Sequence, residues 1–209
     1  MKLFLLTCTI FAGVFEVQGS VMINELMAGS SDRRLSWSTN GAPYLGSGAA
    51  WMTPGYSADA WTSGNLPAGY GFSGLATDLT RTMKSSAPSL YLRKQFTATS
   101  AQATGTNPLV LQVEYNDGFV AYLNGREVAR ANCGPTNYFM YASQPAFNVS
   151  TASGVVQFSI GPASRWLVPG QNLLAIQAHN AEEPSTVSDP GHITQHIPTG
   201  EFKINGGLS

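Results

Sequence analysis

Alternation of apolar and polar side chains is clearest between residues 109 and 123. From Leu109 to Tyr115 every second side chain is apolar or aromatic, and the pattern resumes from Phe119 to Leu123. A period of two puts successive side chains on opposite faces of a β-strand. The pattern therefore predicts two strands, each with an apolar face that must be buried. The side chains expected in the core are Leu111, Val113, Ala121 and Leu123.

Two turn signals join these strands to each other and to a third strand. Residues 116–118, Asn-Asp-Gly, tolerate positive φ, and the Asp117 side chain is expected to bond its own backbone. Asn124-Gly125 is typical of a type I′ hairpin, which needs positive φ at two successive residues. Arg126 to Arg130 runs back from this turn. The sequence therefore predicts a continuous three-stranded antiparallel meander that packs on a second sheet.

The rest of the chain also favours strands and turns. The 209 residues include 22 Gly and 12 Pro, which suits an all-β fold with many connections. In the strand at 173–179, Leu174, Ile176 and Ala178 face one way. Further predicted elements are strands at 89–97, 155–160 and 201–204, a helical turn at 165–168, and an irregular aromatic-rich loop at 132–146. The predicted fold class is an all-β antiparallel β-sandwich.

The first 19 residues have the pattern of a secretory signal peptide. Lys2 supplies the positive end, and the apolar run from Leu3 to Val14 is too short to span a bilayer as an anchor. Cleavage is expected after Gly19. The predicted organisation is a signal peptide (1–19), a leading strand or linker (20–46) and one sandwich domain (47–209), located outside the cell or on its surface.

Low charge excludes several function classes. Charged residues are 11% of the chain and the net charge is −1, so nothing attracts a nucleic acid, or a membrane after cleavage. Glu114 and Glu127 fall on neighbouring predicted strands, where a solvent-facing position is favoured over a catalytic acid/base pair. His192 and His196 have a metal-binding spacing on a helix, but the surrounding prolines disfavour a helix there.

Cys133 is the one cysteine left after removal of Cys8 with the signal peptide. An intramolecular disulfide is then impossible, and a small hydrophobic role is favoured over a nucleophile. Cys133→Ser is accordingly expected to fold normally.

Four motifs resemble the galactose-binding-domain-like β-sandwich modules of large secreted bacterial proteins. They are AAWMTPGYSADAWTSGNLPAGYG (49–71), LYLRKQF (90–96), YNDGFVAYLNGREVAR (115–130) and VPGQNLLAIQAHN (168–180). The set is also similar to the sugar-binding jelly-roll domain of β-galactosidase-type hydrolases, and INELMA (23–28) resembles the start of lamin-tail-type modules. The resemblance implies a galactose-binding-like jelly roll. It also implies that His179-Asn180 ties down a loop, and that any structural calcium would use Asp59 or Asp78.

A non-catalytic carbohydrate-binding or cell-surface adhesion module is the function that these features favour. Its partners would be a glycan or polysaccharide and other modules of secreted proteins, and no cofactor is expected beyond that calcium. Sugar sites combine aromatic platforms with a few polar groups. The candidate ligand-binding rings are Trp61, Tyr70, Tyr138 and Tyr141. Trp51 and Trp61 are alternatively core anchors.

Two other functions remain open at this stage. One is a structural or assembly module that binds no sugar. The other is a jelly-roll polysaccharide lyase, in which Tyr91 and Arg93 would share one face of a strand. Sparse carboxylates disfavour an enzyme, because catalysis needs titratable groups brought together.

Overall fold

The computed structural model describes residues 25–28, 47–59, 61–84, 87–150, 154–181 and 202–208. The predicted signal peptide, most of the predicted linker, and the His192 and His196 pair lie outside these residues. The strands are β1 (Glu25–Ala28), β2 (Thr62–Ser63), β3 (Ala68–Tyr70), β4 (Thr77–Asp78), β5 (Ser89–Ala98), β6 (Pro108–Asn116), β7 (Gly118–Leu123), β8 (Arg126–Ala131), β9 (Val156–Pro162), β10 (Gly170–His179) and β11 (Phe202–Leu208). The helices are a 3-10 helix (Ser47–Met52), α1 (Ser100–Ala103) and α2 (Ala163–Trp166). No helix in the described ranges is long and apolar enough to cross a membrane.

The strands form two sheets that pack face to face. One sheet has the order β2-β1-β5-β10-β7-β8, and the other has the order β4-β3-β11-β6-β9. Every pairing between described strands is antiparallel except β3 with β4. The prediction of an all-β antiparallel sandwich is confirmed.

The predicted meander is wrong at its first turn. β6 pairs with β11 and β9, whereas β7 pairs with β10 and β8, so the chain changes sheets between Asn116 and Gly118. Both strands still bury their apolar faces, but they do so from opposite sides of one core. Alternation identifies the buried face of a strand and leaves the strand beside it undetermined.

The second predicted turn is confirmed. β7 and β8 pair as a hairpin through Asn124 and Gly125, whose φ angles are 52° and 80°. Both values lie in the left-handed region that a type I′ turn requires. The pairing register of β7 with β8 shifts between Ala121 and Tyr122, so the hydrogen-bond ladder of the hairpin is irregular at this point.

The main core lies between the sheets. Leu111, Val113, Ala121 and Leu123 are fully buried, as predicted, and each larger aliphatic side chain contributes about 1.5–3 kcal/mol by leaving water. Leu174, Ile176 and Ala178 join them from β10, as the sequence also predicted. In β5, which occupies the predicted strand at 89–97, Phe96 packs against the core with Leu90 and Leu92.

Candidate functional site

A second, smaller core covers the outer face of the six-stranded sheet. Here the outer face is the face that points away from the main core. Two segments lie on it: the first covering segment (residues 47–59 and Trp61) and the second covering segment (residues 132–150). The buried members of this core are Trp51, Met52, Tyr91, Val120, Tyr122, Cys133, Met140, Leu173 and Ala175. β7 is consequently buried on both faces, which an alternating pattern did not indicate.

Arg93 holds the first covering segment in place. Its side chain is 1% exposed, and its guanidinium donates hydrogen bonds to the carbonyls of Trp51 (2.7 Å), Thr53 (3.0 Å) and Tyr56 (3.3 Å). The guanidinium carbon also lies 5.2 Å from the Tyr56 ring centroid and 5.7 Å from that of Trp61. A planar group with five donors can satisfy several carbonyls of one loop at once.

The second covering segment is held by side chains from the sheet beneath it. Ser89 Oγ donates to Ala142 O (2.7 Å) and Gln177 Nε2 donates to Met140 O (3.1 Å). Arg130, which is paired with Glu127 at 2.6 Å, also donates to the carbonyls of Cys133 (2.6 Å) and Tyr138 (2.9 Å). Buried hydrogen bonds of this kind fix the backbone of an otherwise irregular segment.

His179 makes a further contact with this segment. Its Nδ1 lies 2.7 Å from Gln144 O, and because a carbonyl can only accept, Nδ1 carries the proton. Burial lowers the pKa of His179 to about 4, so the ring is neutral. The buried Nε2 then has a free lone pair and no hydrogen-bond partner among the described residues.

Asp117 joins three distant parts of the chain. Its carboxylate accepts from the backbone N–H of Ser150 (2.9 Å) and of Ala181 (2.6 Å), and its carbonyl accepts from Asn132 Nδ2 (2.8 Å). The turn residue therefore serves segments far along the chain, a role that the prediction of a bond to its own backbone did not include. Charged acceptors make stronger bonds to N–H groups than neutral ones do.

An open pocket of about 690 Å³ is formed mostly by the second covering segment. Its size falls within the range of small-molecule sites, which combine apolar walls with a few polar groups. Its walls carry no charged side chain and two carboxamides. The lining residues are Gln144, Pro145, Ala146, Phe147, Asn148, Val149 and Ala181.

A pair of exposed aromatic rings includes one ring of the pocket wall, that of Phe147. The rings of Tyr138 and Phe147 lie edge to face with centroids 5.5 Å apart, and these side chains are 39% and 48% exposed. Gln144 Nε2 donates to Tyr138 Oη at 3.2 Å. Gly134 lies directly against both rings, because a Cβ built there would be 3.1 Å from atoms of each. The pair is thus packed on the backbone at Gly134 and stays partly exposed to solvent.

The structure separates the four predicted ligand-binding rings. Tyr138 lies in the exposed pair, and Tyr141 is half-buried with its ring centroid 4.9 Å from that of Phe139. Trp61 is half-buried in the first covering segment, stacked 6.4 Å from Trp51. Trp51 itself is a core anchor. None of the four rings lines the pocket.

Tyr70 is a correction to that set. Its side chain is 1% exposed in the main core, and its hydroxyl accepts from Asn180 Nδ2 at 2.9 Å. Burial, and secondarily the charge of Asp117, raises the pKa of Tyr70 to about 12. A ring in this position cannot stack on a ligand. The hydrogen bond instead agrees with a loop-tying role for His179-Asn180.

Asp59 and Asp78, the candidate calcium ligands, each bond to a nearby hydroxyl. Asp59 accepts from Ser57 Oγ at 2.6 Å, and Asp78 accepts from the Thr80 N–H (2.8 Å) and Oγ1 (2.6 Å). The Thr80 hydrogen bonds lower the pKa of Asp78. Within the described ranges no three His, Cys, Asp or Glu side chains come together as a metal site. Calcium binding stays a prediction.

The groups proposed for a lyase lie under the first covering segment. Tyr91 is 8% exposed, its hydroxyl accepts from Gln177 Nε2 at 3.0 Å, and burial raises its pKa to about 12. Arg93 is occupied by its hydrogen bonds to the carbonyls of the first covering segment.

Cys133 is fully buried and free, and burial raises the pKa of its thiol to about 12.

Sequence reasoning missed two residues of this region. Phe147 lies outside the predicted aromatic-rich loop at 132–146, although the aromatic content continues by one residue. Asp117 was assigned a local role because Asn-Asp-Gly is a strong turn signal. No local pattern indicates partners 33 and 64 residues away.

Comparison with known proteins finds similar solved structures at low sequence identity. No family model matches the sequence, and no curated protein matches it. Similar solved structures include the Bacteroides uniformis β-glucuronidase (14% identity, TM-score 0.44, 89% of this chain and 17% of that chain). Others are the uncultured Clostridium sp. β-glucuronidase (13%, 0.45, 95% and 30%) and the Bifidobacterium dentium β-glucuronidase complexed with coumarin-3-O-glucuronide (13%, 0.47, 90% and 29%). This chain therefore spans less than a third of each of these three proteins.

Proposed function

We propose that this protein is a secreted, non-catalytic carbohydrate-recognition module of galactose-binding-like jelly-roll type, and that its site lies on the second covering segment. The observation that carries the proposal is the exposed ring pair, Tyr138 and Phe147, beside an open uncharged pocket. An aromatic face binds the apolar face of a sugar, and nearby polar groups fix its orientation.

The fixed backbone under the rings supports this function. The Phe147 N–H donates to Asn132 O (2.7 Å), and the neighbouring Ala146 N–H donates to Asn180 O (2.9 Å). Arg130 bonds Tyr138 O in the same way. A preorganised surface loses little conformational entropy on binding, which favours affinity for a weakly interacting ligand such as a sugar.

The pocket walls favour a neutral sugar. The amides of Gln144 and Asn148 can donate to and accept from hydroxyl groups. Of the charged groups nearby, Asp117 is used by two backbone N–H groups and Arg130 is paired with Glu127. A carboxylate or sulfate would gain no opposite charge from these walls.

A non-catalytic role is supported by the state of the titratable groups. Tyr91, Arg93, Cys133 and His179 are all buried. Glu127 is paired with Arg130. General acid/base work needs groups that a substrate can reach with matched pKa values, and these groups are enclosed by the covering segments.

Affinity electrophoresis through gels containing single neutral polysaccharides tests the proposal. We expect retardation of the native protein by at least one polysaccharide, and loss of most of it in Tyr138→Ala and Phe147→Ala. Val168→Ala is the matched control, because it truncates an equally exposed apolar side chain (51%) elsewhere and should be retarded normally. Unchanged retardation of both ring variants would contradict the assigned site.

The competing structural or assembly module makes a different prediction. It predicts no retardation of the native protein by any polysaccharide, neutral or acidic. The lyase alternative predicts unsaturated products when the protein is incubated with uronic-acid polysaccharides, abolished by Tyr91→Phe. Either result would overturn the proposed function.

A further inference from the structure

Two arginine side chains share one tryptophan ring at the end of β7 opposite to Asp117. Arg126 begins β8 directly after the hairpin turn, and Arg165 lies in α2. The guanidinium carbons of Arg126 and Arg165 lie 4.6 Å and 5.0 Å from the ring centroid of Trp166. Both side chains are exposed to solvent. Two positive groups are thus brought to one small area of the surface.

Two asparagine side chains and the indole N–H fix the backbone that carries this group. Asn124 Nδ2 donates to Trp166 O (2.9 Å), and the Trp166 indole N–H donates to Ile160 O (2.5 Å). Asn172, which is fully buried, accepts from the Val168 N–H (3.0 Å) and donates to Val168 O (2.8 Å). The ring is therefore a fixed support, and the two side chains are ordered by contact with it.

The charges of this pair are not neutralised within the described part of the chain. Arg126 donates to the carbonyl of Arg165 (3.0 Å), and neither guanidinium has a carboxylate within ion-pair distance there. Arg130, four residues along the same strand, is by contrast paired with Glu127 in two hydrogen bonds. An anion beside these guanidiniums would supply the opposite charge that the described residues do not.

We propose that Arg126 and Arg165 bind an oxyanion, the carboxylate or sulfate group of an acidic polysaccharide, with Trp166 as their support. The planar guanidinium matches the two oxygens of either group and forms charge-assisted hydrogen bonds with them. The site is independent of the proposed function, because it lies at the other end of the sandwich and uses charge rather than exposed rings. One protein would then contact a neutral and an acidic part of a polysaccharide through separate surfaces.

Titration of the purified protein with sodium sulfate and with sodium glucuronate tests the site. The indole N–H resonance of Trp166 is followed by NMR, with sodium chloride at matched ionic strength as the reference. We expect saturable shifts with at least one oxyanion and a loss of affinity of about tenfold or more in the double variant Arg126→Met/Arg165→Met. Arg126→Lys keeps the charge but loses the planar fork, so it should bind with intermediate affinity.

Arg81→Met is the matched control, because Arg81 is also exposed but lies near the carboxylate of Asp78. It should titrate like the native protein. Columns of sulfated and of uronate polysaccharide then distinguish the two sources of oxyanion by the salt needed for elution. Shifts that do not saturate, equal affinity in the double variant, or an equal loss in Arg81→Met would overturn the proposal. Phe147→Ala should leave this binding intact, which separates the test from that of the proposed function.

Discussion

The carboxylate of Asp117 accepts a 2.6 Å hydrogen bond from the backbone N–H of Ala181, 64 residues further along the chain. The same carboxylate accepts from the N–H of Ser150, at the end of the second covering segment. Asp117 also sits where the chain passes from one sheet to the other, between β6 and β7. One side chain therefore connects the crossing between the sheets, the second covering segment and the end of β10.

Asp117→Asn should destabilise the protein by about 1–3 kcal/mol, because a buried N–H loses its acceptor. The asparagine side chain keeps one oxygen, which can accept from the backbone N–H of either Ser150 or Ala181. Its NH₂ group then faces the remaining N–H, and two donors cannot bond to each other. Urea unfolding measures the loss, and hydrogen exchange at residues 146–150 should accelerate. Asp59→Asn is the control, since that carboxylate is exposed. Equal stability of the two variants would contradict the connecting role.

The sequence predicts those features of the fold that depend on local chemistry. Alternation located the buried side chains of β6 and β7, and Asn124-Gly125 located the hairpin. It could not locate the crossing at Asp117, because a period of two reports the face of a strand and says nothing of its neighbour. The sequence predicts an exposed ring at Tyr70, since its loop-like context gives no sign that a buried Asn180 bonds its hydroxyl.

Arg93→Met should cost about 3 kcal/mol or more, because the carbonyls of Trp51 and Thr53 lose a charged donor while the site stays buried. Thermal or urea unfolding gives the change in free energy. Arg81→Met removes the same group from an exposed position and should change stability by less than about 0.5 kcal/mol. Similar losses in both variants would mean that Arg93 does not hold the first covering segment.

His179 should make the protein less stable as the pH falls. The pKa of His179 is about 4 in the folded chain and near 6.5 in the unfolded chain. Between these two pH values the unfolded state binds a proton and the folded state does not. Stability contributed by the neutral ring is therefore present above pH 6.5 and lost progressively toward pH 4. Between pH 7 and pH 5 the loss should be about 2 kcal/mol. His179→Gln should lose less over that interval, and parallel curves for the two proteins would contradict the assignment.

Cys133 should resist thiol reagents until the protein unfolds. The thiol is fully buried, and its pKa of about 12 keeps it protonated near neutral pH. The structure also changes the expectation for Cys133→Ser, because a buried hydroxyl without a partner costs about 1–3 kcal/mol even where no disulfide is broken. Cys133→Ala is the better probe and should cost less than the serine variant. Rapid labelling of the native protein lacking residues 1–19 would contradict this assignment.

Gly118→Ala tests how tightly the second covering segment packs on the sheet. A Cβ at Gly118 would lie 2.9 Å from Cys133 Sγ, 3.0 Å from Ala131 O and 3.0 Å from Ala146 Cβ. Two of these neighbours belong to the covering segment, so the new methyl group must displace it, and overpacking of this kind costs about 1–3 kcal/mol. Gly55→Ala has no atom within 4 Å and serves as the control. Adding Cys133→Ala removes the nearest contact, so the double variant should be more stable than the sum of the two single losses predicts, by about 0.5 kcal/mol or more. Strict additivity would mean that the segment moves away from Gly118 as a whole, and binding at the Tyr138 and Phe147 rings should then fall in the single variant as well.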